Sequence, residues 1–385
     1  MAVSAPATVS VVFASNDFYV PYLSALFASI LKNRNKERAL ELIVLSEDIT
    51  DQHVAMLEKQ VQSDNVSLRM LNVSEAMRPY EDKLKVRGHF KLETYFRLLL
   101  PQLLPNHHKV LYLDADMICL RDVADLFDTN VDGYLLAACK DPDTTGIYNG
   151  VDIDLEQPNK KDYMDNVLCI KNPYEYFQAG TIVFNLDEWR TSIDVSEVFA
   201  FAQSRQWQLL DQDVLNYFCQ GRVKFVDMAW NVMYDYNDIR IKHIISKTTP
   251  ELRQDYMSAR KDPFIVHYAG PIKPWNDPEC DFAYHFWDYA RTTPFYEVTV
   301  GRMTRTQFEQ LSDELKATKE FLKTVDAELQ RYEHRSLGLM LKEFVYQKLL
   351  TPIVERATSN NEGSRQKVRQ LYYRVHPSAK RPTNN

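Results

Sequence analysis

Val110-Leu-Tyr-Leu-Asp-Ala-Asp-Met117 is an apolar run that ends in two carboxylates, Asp114 and Asp116, two residues apart. A short apolar run bounded by polar residues predicts a buried β-strand. Side chains at i and i+2 of an extended segment point to one side. Both carboxylates can therefore face one hard divalent cation, which prefers oxygen ligands and leaves positions for phosphate oxygens. Acids at the carboxyl end of such a strand also lie where open α/β sheets bind their ligands. Taken alone, Asp-x-Asp fits a turn or a helix N-cap equally well, so the neighbouring segments decide.

Working outward, Val9-Ser-Val-Val-Phe-Ala14 reads as a first strand, and a helix follows with apolar residues at Leu23, Leu26, Phe27, Ile30 and Leu31. Leu40–Leu45 is a second strand, His53–Gln62 a polar helix, and Val66–Leu71 a third strand. Thr94–Leu104 reads as a helix that ends before Pro105 and leads into the Val110–Leu113 strand. Strand and helix alternating at this spacing predict an α/β fold, a parallel sheet with helices on both faces. No G-x-G-x-x-G follows the first strand and no Walker lysine loop is present, so any nucleotide is held another way.

The chain has 385 residues, 45% hydrophobic and 12% aromatic, enough for one large or two smaller globular domains. Its formal net charge of −7 argues against general nucleic-acid binding. From Arg331 to the end, eleven Lys/Arg stand against four Asp/Glu, a net of +7, which leaves −14 on residues 1–330. A basic tail on an acidic body suits an anionic surface such as a membrane or acidic glycolipid, or simply a solvated tail. Cys119, Cys139, Cys169, Cys219 and Cys280 are widely spaced with no C-x-x-C pair, which reads as free thiols in a reducing compartment. With no basic signal-peptide start and no run of eighteen apolar residues, the expected location is cytoplasmic, with the tail peripheral to the inner membrane face.

Beyond Gly301 the pattern changes. Phe308, Leu315, Leu322 and Leu329 recur every seven residues, with Leu311, Thr318, Val325 and Tyr332 between them. That heptad pattern suits a coiled coil that dimerises the chain, or one long amphipathic helix packed on its own domain. The expected organisation is a domain over residues 1–300, a helical extension over 301–358 and a basic flexible tail over 359–385.

Four segments join the Asp-x-Asp strand in carrying chemistry. Thr94-Tyr-Phe-Arg97 opens the helix before it, and Tyr176–Leu186 is a small-residue turn feeding an apolar strand. Leu210-Asp-Gln-Asp-Val-Leu-Asn216 begins a helix, and Ile265-Val-His-Tyr-Ala-Gly-Pro-Ile-Lys-Pro-Trp275 carries a histidine at a strand end. Singly, His267 fits a core histidine, Trp275 a packing residue, Arg97 a surface charge and Asp211 an N-cap.

In this order the segments resemble the retaining glycosyltransferases of family 8, in particular the bacterial lipooligosaccharide galactosyltransferases and, more distantly, glycogenin. The run His-Tyr-x-Gly-x-x-Lys-Pro-Trp with Leu-Asp-x-Asp and Asp-Gln-Asp carries the likeness, over about residues 9–275 and not the tail. The resemblance implies a single nucleotide-sugar-binding domain of GT-A type with a mostly parallel central sheet. It implies that Asp114, Asp116 and His267 coordinate Mn²⁺ or Mg²⁺ on the diphosphate of a UDP-hexose, with Ala115 between them. Gly270 would let the backbone approach the diphosphate, Lys273 would supply charge to it, and His89 would be a further phosphate contact. Phe13, Ala14, Asn16 and Tyr19 resemble the uridine pocket. Arg97 resembles an arginine that touches the sugar and braces the metal carboxylates. Asp141 and Asp211 resemble sugar-hydroxyl contacts, and Gln212 the residue beside the anomeric carbon.

Two positions depart from the family pattern: Asn16 stands where an aspartate is common, and Gln178 where the galactosyltransferase relatives carry asparagine. The first bears on base selectivity and the second on donor identity, galactose or glucose. Glutamine is a poor nucleophile, so the expected route is same-face attack with the leaving phosphate accepting the acceptor's proton. The expected acceptor is a sugar on a glycolipid, surface polysaccharide or glycoprotein. Rival readings are an Asp-x-Asp phosphotransferase, a transferase-fold scaffold without activity, and a self-glycosylating initiator.

Overall fold

The computed structural model describes residues 7–85, 92–151 and 160–332. Strands β1 (Val9–Ala14), β2 (Leu40–Ser46) and β3 (Val66–Asn72) are joined by helices α1 (Val20–Asn33) and α2 (Asp51–Val61). Strand β4 (Lys109–Leu113) lies beside β1, so the first half is the parallel arrangement that the strand–helix alternation predicts. Successive residues of these strands feed opposite cores. Val12, Val110 and Tyr112 pack on one face, and Val11, Phe13, Leu111 and Leu113 on the other. Apolar strands without polar alternation are what a sheet covered on both faces requires.

The later half departs from a purely parallel sheet. Strands β5 (Met117–Cys119), β6 (Leu136–Lys140), β7 (Phe177–Asn185), β8 (Val223–Phe225), β9 (Val232–Met233) and β10 (Ile265–His267) divide between two sheets. The seven-stranded sheet has the order β3-β2-β1-β4-β7-β6-β8, and β7 runs antiparallel to both its neighbours. The second sheet is β5-β10-β9. Tyr176–Leu186, expected as a small-residue turn feeding an apolar strand, holds the strand without the turn: β7 runs nine residues with Gly180 inside it. The helix expected over Thr94–Leu104 is a 3₁₀ helix, Leu92–Leu99, followed by the short α-turn Leu100–Leu103. Pro101 lacks the N–H that a continuous α-helix would use there.

Three further helices matter below: α3 (Pro142–Tyr148), α4 (Asp211–Phe218) and α5 (Tyr296–Tyr332). The chain separates after Met303 into two units, and the described part of the second, residues 304–332, is helical throughout. The α5 helix passes through Gly301, where an added Cβ would meet no atom of the described residues within 4 Å. Among the described residues, no helix is long and apolar enough to cross a membrane. All five cysteines are free, and Cys119, Cys139 and Cys219 are buried. His89 and the basic tail lie outside the described residues.

Candidate active site

Strand pairing, more than sequence proximity, gathers the metal-ligand candidates. Asp114 leaves β4 with its N–H donating to Gly180 O at 2.8 Å, and Asp116 immediately precedes β5. The antiparallel register of β5 and β10 sets Met117 opposite His267, and Tyr268 N donates to Asp116 O at 3.0 Å. One ligand atom from each of Asp114, Asp116 and His267 therefore falls within 4.8 Å of the others. His267 Nε2 is 3.2 Å from Asp116 Oδ1 and 3.8 Å from Asp114 Oδ2.

The tautomer of His267 follows from a backbone group whose role is unambiguous. Gly180 N–H donates to Gln178 Oε1 at 2.6 Å, so that atom is an acceptor. Asn231 must then present Nδ2 to the same oxygen (2.6 Å), which turns its Oδ1 toward His267 Nδ1 at 2.9 Å. In the neutral imidazole Nδ1 carries the proton, and Nε2 aims its lone pair at the two carboxylates. A lone pair facing Asp116 Oδ1 across 3.2 Å is an arrangement that a cation relieves. Two carboxylates and one imidazole also suit Mn²⁺ or Mg²⁺ chemistry. Burial pushes the Asp116 carboxyl up, but the Lys273 ammonium, joined by His267 only when its imidazole is protonated, outweighs it and holds the group far below the usual carboxylate range. Lys273 Nζ donates to Asp116 Oδ2 at 2.6 Å and to Tyr268 O at 2.7 Å.

The cradle tolerates no side chain at Gly180 of β7. A Cβ on Gly180 would meet His267 Cε1 at 2.5 Å, Asp114 Oδ2 at 2.7 Å and Met117 Cε at 2.8 Å. His267 and Asp114 are anchored by Asn231 and Arg97 and cannot simply swing away. Gly180→Ala is therefore expected to cost about 1–3 kcal/mol in urea unfolding and to lower metal-dependent nucleotide affinity at least about tenfold. Unchanged affinity in that variant would show that the cradle is not the binding site.

Beside this group, Arg97 is 5% exposed and lies between two carboxylates. Its Nη2 donates to Asp114 Oδ1 at 2.8 Å, and its guanidinium stacks over the Tyr112 ring at 4.2 Å. Its Nε–H points to Thr94 O (3.2 Å), while Asp211 Oδ2 sits 2.9 Å from Nε as an ion pair without a hydrogen bond. Asp211 Oδ1 accepts from the Thr94 hydroxyl, but Oδ2 has no donor, a buried acceptor on the wall of the cleft. Burial raises the Asp211 carboxyl to about 6, with Arg97 and Thr94 opposing the rise.

Because the folded form of Asp211 holds its proton more tightly than the unfolded chain, ionisation above about pH 6 costs stability, and lowering the pH restores it. Between pH 7 and pH 5 the parent should gain about 1 kcal/mol relative to Asp211→Asn. Parallel pH dependences in the two proteins, measured by denaturant titration, would contradict this.

Asp141 and Gln212 complete the far wall. Asp141 caps α3, accepting from Thr144 N at 3.1 Å and Thr144 Oγ1 at 3.0 Å. Gln212 Nε2 donates to Asp141 Oδ2 at 2.9 Å, and Gln212 Oε1 accepts from Ala179 N at 2.9 Å. Burial, joined by the charge of Asp143, raises the Asp141 carboxyl. Asp213, the second acid of Asp-Gln-Asp, is a structural residue. Its carboxylate accepts from Tyr163 Oη and Tyr176 Oη, each at 2.6 Å, and from Leu209 N at 2.8 Å. Asn216 ties α4 to β7 through Phe177 N and O, each at 2.8 Å.

Asp114, Asp116, His267, Arg97, Asp211, Asp141 and Gln212 face one cleft of about 510 Å³, which Ala14, Asn16, Tyr19, Ala115, Gln178, Gly270 and Lys273 also line. Phe13 does not line it; its side chain is fully buried edge-on to Phe27. The amide of Asn16 is already engaged, accepting from Tyr19 N at 3.0 Å and donating to Glu93 Oε1 at 2.6 Å. Tyr19 lies edge-on to Trp275 with ring centroids 5.8 Å apart. Gly270 has φ +150, and a Cβ there would meet Tyr234 Oη at 3.0 Å. Asn231 carries no signal in sequence that singles it out, and Gly180 and Thr94, though they lie in segments that sequence singles out, gain their roles from partners far along the chain.

The family model for glycosyl transferase family 8 matches residues 10–279. General stress protein A of Bacillus subtilis is 26% identical over 291 residues, spanning 73% of this chain and 93% of that protein. The bifunctional glycosyltransferase WbbM, in an apo structure, aligns with a TM-score of 0.67 at 28% identity over 79% of this chain. The alignment covers 53% of WbbM, so this chain matches about half of it. The galactosyltransferase LgtC, crystallised with donor and acceptor sugar analogues, gives a TM-score of 0.59 at 24% identity, covering 74% of this chain and 96% of LgtC. That likeness shows the fold.

Proposed function

The chain belongs to glycosyl transferase family 8 and is thus a glycosyltransferase, and from that premise we propose that it moves a hexose, galactose or glucose, from a UDP-sugar to a sugar acceptor with retention of configuration. The observation that carries this reading is one cleft holding a two-carboxylate, one-imidazole cradle beside a buried carboxylate oxygen, Asp211 Oδ2, that lacks a donor. Asp114, Asp116 and His267 would hold Mn²⁺ or Mg²⁺, which when bound supplies a Lewis acid for the charge on the departing diphosphate.

The chain's own residues do the rest. Lys273, now on Asp116, adds a compact positive charge next to the diphosphate, and Gly270 leaves room for its close approach. Arg97 keeps Asp114 oriented, and Asp211 Oδ2 accepts a hydroxyl of the donor hexose. Gln178 has spent its oxygen on Gly180 and Asn231, which leaves its amide nitrogen to face the sugar. Gln212 has both ends of its amide bonded, so its oxygen is held away from the role of nucleophile. The acceptor hydroxyl then attacks from the face the diphosphate leaves. The bond from the anomeric carbon to the phosphate oxygen breaks, the new glycosidic bond forms, and the acceptor's proton passes to the departing phosphate.

The acceptor is proposed as a sugar on a glycolipid, surface polysaccharide or glycoprotein; LgtC's acceptor sugar analogue is the nearest support. A cytoplasmic setting, supported by the free thiols, and a membrane-facing basic tail are proposed with it. A chain ending at Met303 should lose binding to anionic vesicles; undiminished binding would remove the tail from the account.

Titration of UDP calorimetrically, first with Mn²⁺ and then with EDTA, tests the main reading. Binding that requires the metal, followed by metal-dependent hydrolysis of UDP-galactose or UDP-glucose, is the expected result. No binding under either condition would make the transferase-fold scaffold the better description.

A further inference from the structure

Among the described residues, the α5 helix presents an apolar seam that stays uncovered. Phe308, Leu311 and Leu315 are 72%, 58% and 54% exposed. Thr318, Leu322 and Val325 continue the same stripe and are only half-buried. Written as a heptad, Phe308, Leu315 and Leu322 occupy a, and Leu311, Thr318 and Val325 occupy d. The one polar residue in the seam enters it satisfied, since Thr318 Oγ1 donates to Glu314 O within its own helix at 2.8 Å.

The charges flanking the seam indicate what covers it. On the outer face the helix pairs its own charges: Lys316 with Asp313 at 3.0 Å and Lys323 with Glu320 at 2.6 Å. Glu314 (g) and Lys319 (e) have no such partner among the described residues. Lys319 has Leu315, Lys316, Leu322 and Lys323 as its neighbours one turn away, and Glu314 has Gln310, Leu311, Ala317 and Thr318. Five residues apart, Glu314 and Lys319 cannot reach each other on one helix. They have the spacing at which g of one helix meets e′ of the other in a parallel, in-register pair.

We propose that the α5 stripe from Phe308 to Val325 binds a second copy of this chain in parallel register, with Glu314 of each copy paired to Lys319 of the other. Symmetry makes the contact twice, and the exposed apolar stripe supplies the association while the charges set its direction. The inference is independent of the transfer chemistry.

Light scattering of the full chain tests it. The parent should have twice the single-chain mass of 45.0 kDa. Leu315→Asp, a surface change that leaves the first unit intact, should give single chains that still bind UDP as the parent does. Glu314→Lys or Lys319→Glu alone turns two attractive contacts into two repulsive ones and should weaken association about tenfold. The double reversal should restore it. A parent mass of 45.0 kDa at every concentration would overturn the proposal, whether the stripe binds residues 333–385 of its own chain or stays bare. So would association that ignores Leu315→Asp, or single reversals that the double variant fails to rescue.

Discussion

Asp116→Ala is expected to fold and to lose hexosyl transfer by at least about a thousandfold. The carboxylate is one of three candidate metal ligands, and it also holds Lys273 Nζ at 2.6 Å. Its removal deprives the cradle of an oxygen and releases the ammonium intended for the diphosphate. Several kcal/mol of charge stabilisation at the leaving group then disappears, and each 1.36 kcal/mol is about tenfold in rate. Folding should survive, because Asp116 adds its backbone, not its side chain, to the β5–β10 edge, where Tyr268 N bonds its carbonyl. The change is read as donor hydrolysis and transfer beside a circular-dichroism melt, with UDP binding losing its metal dependence. Transfer within about tenfold of the parent would defeat the metal assignment.

The second large effect is on stability. Arg97→Met should cost about 3–5 kcal/mol, because it leaves two carboxylates in a low-dielectric setting without their common cation. The guanidinium lies 2.8 Å from Asp114 and 2.9 Å from Asp211, and both carboxylates are less than one-third exposed. Nearby charges hold its pKa above the ordinary arginine value even though burial pushes the other way. Arg97→Lys should recover only part of the loss, since one ammonium cannot reproduce a planar fork that also reaches Ala179 O and Thr94 O. Urea midpoints measure the difference. A loss below about 1 kcal/mol would mean that water already neutralises the two acids.

Much of the first half was legible because its signals are local. Val9–Ala14, Leu40–Ser46, Val66–Asn72 and Lys109–Leu113 are apolar runs bounded by turn or helix signals, and each is a strand of the central sheet. The 3₁₀ form of Leu92–Leu99 was not legible, since apolar spacing reports a helical face and not which carbonyl each N–H chooses. The three-stranded sheet was hidden for another reason. Ile265–His267 reads as a strand, but its partners Met117–Cys119 and Val232–Met233 are three and two residues long, too short for periodicity to register. Phe13 looked like a pocket residue beside Ala14, yet the pleat sends its side chain into the opposite core.

The sequence by itself determined the kinds of donor atoms available: two carboxylates at i and i+2 after a buried strand, an imidazole ending another, a lysine past a glycine. It also determined the heptad stripe, because helical spacing is a property of near neighbours. Only the tertiary structure decided how these parts meet. The β5–β10 register brought His267 to Asp116, and the Gly180–Gln178–Asn231 chain chose its tautomer. Packing left Asp211 Oδ2 without a donor and the α5 stripe exposed. Strand register, hydrogen-bond direction and burial are set by partners distant in sequence, and no local pattern carries their free energies.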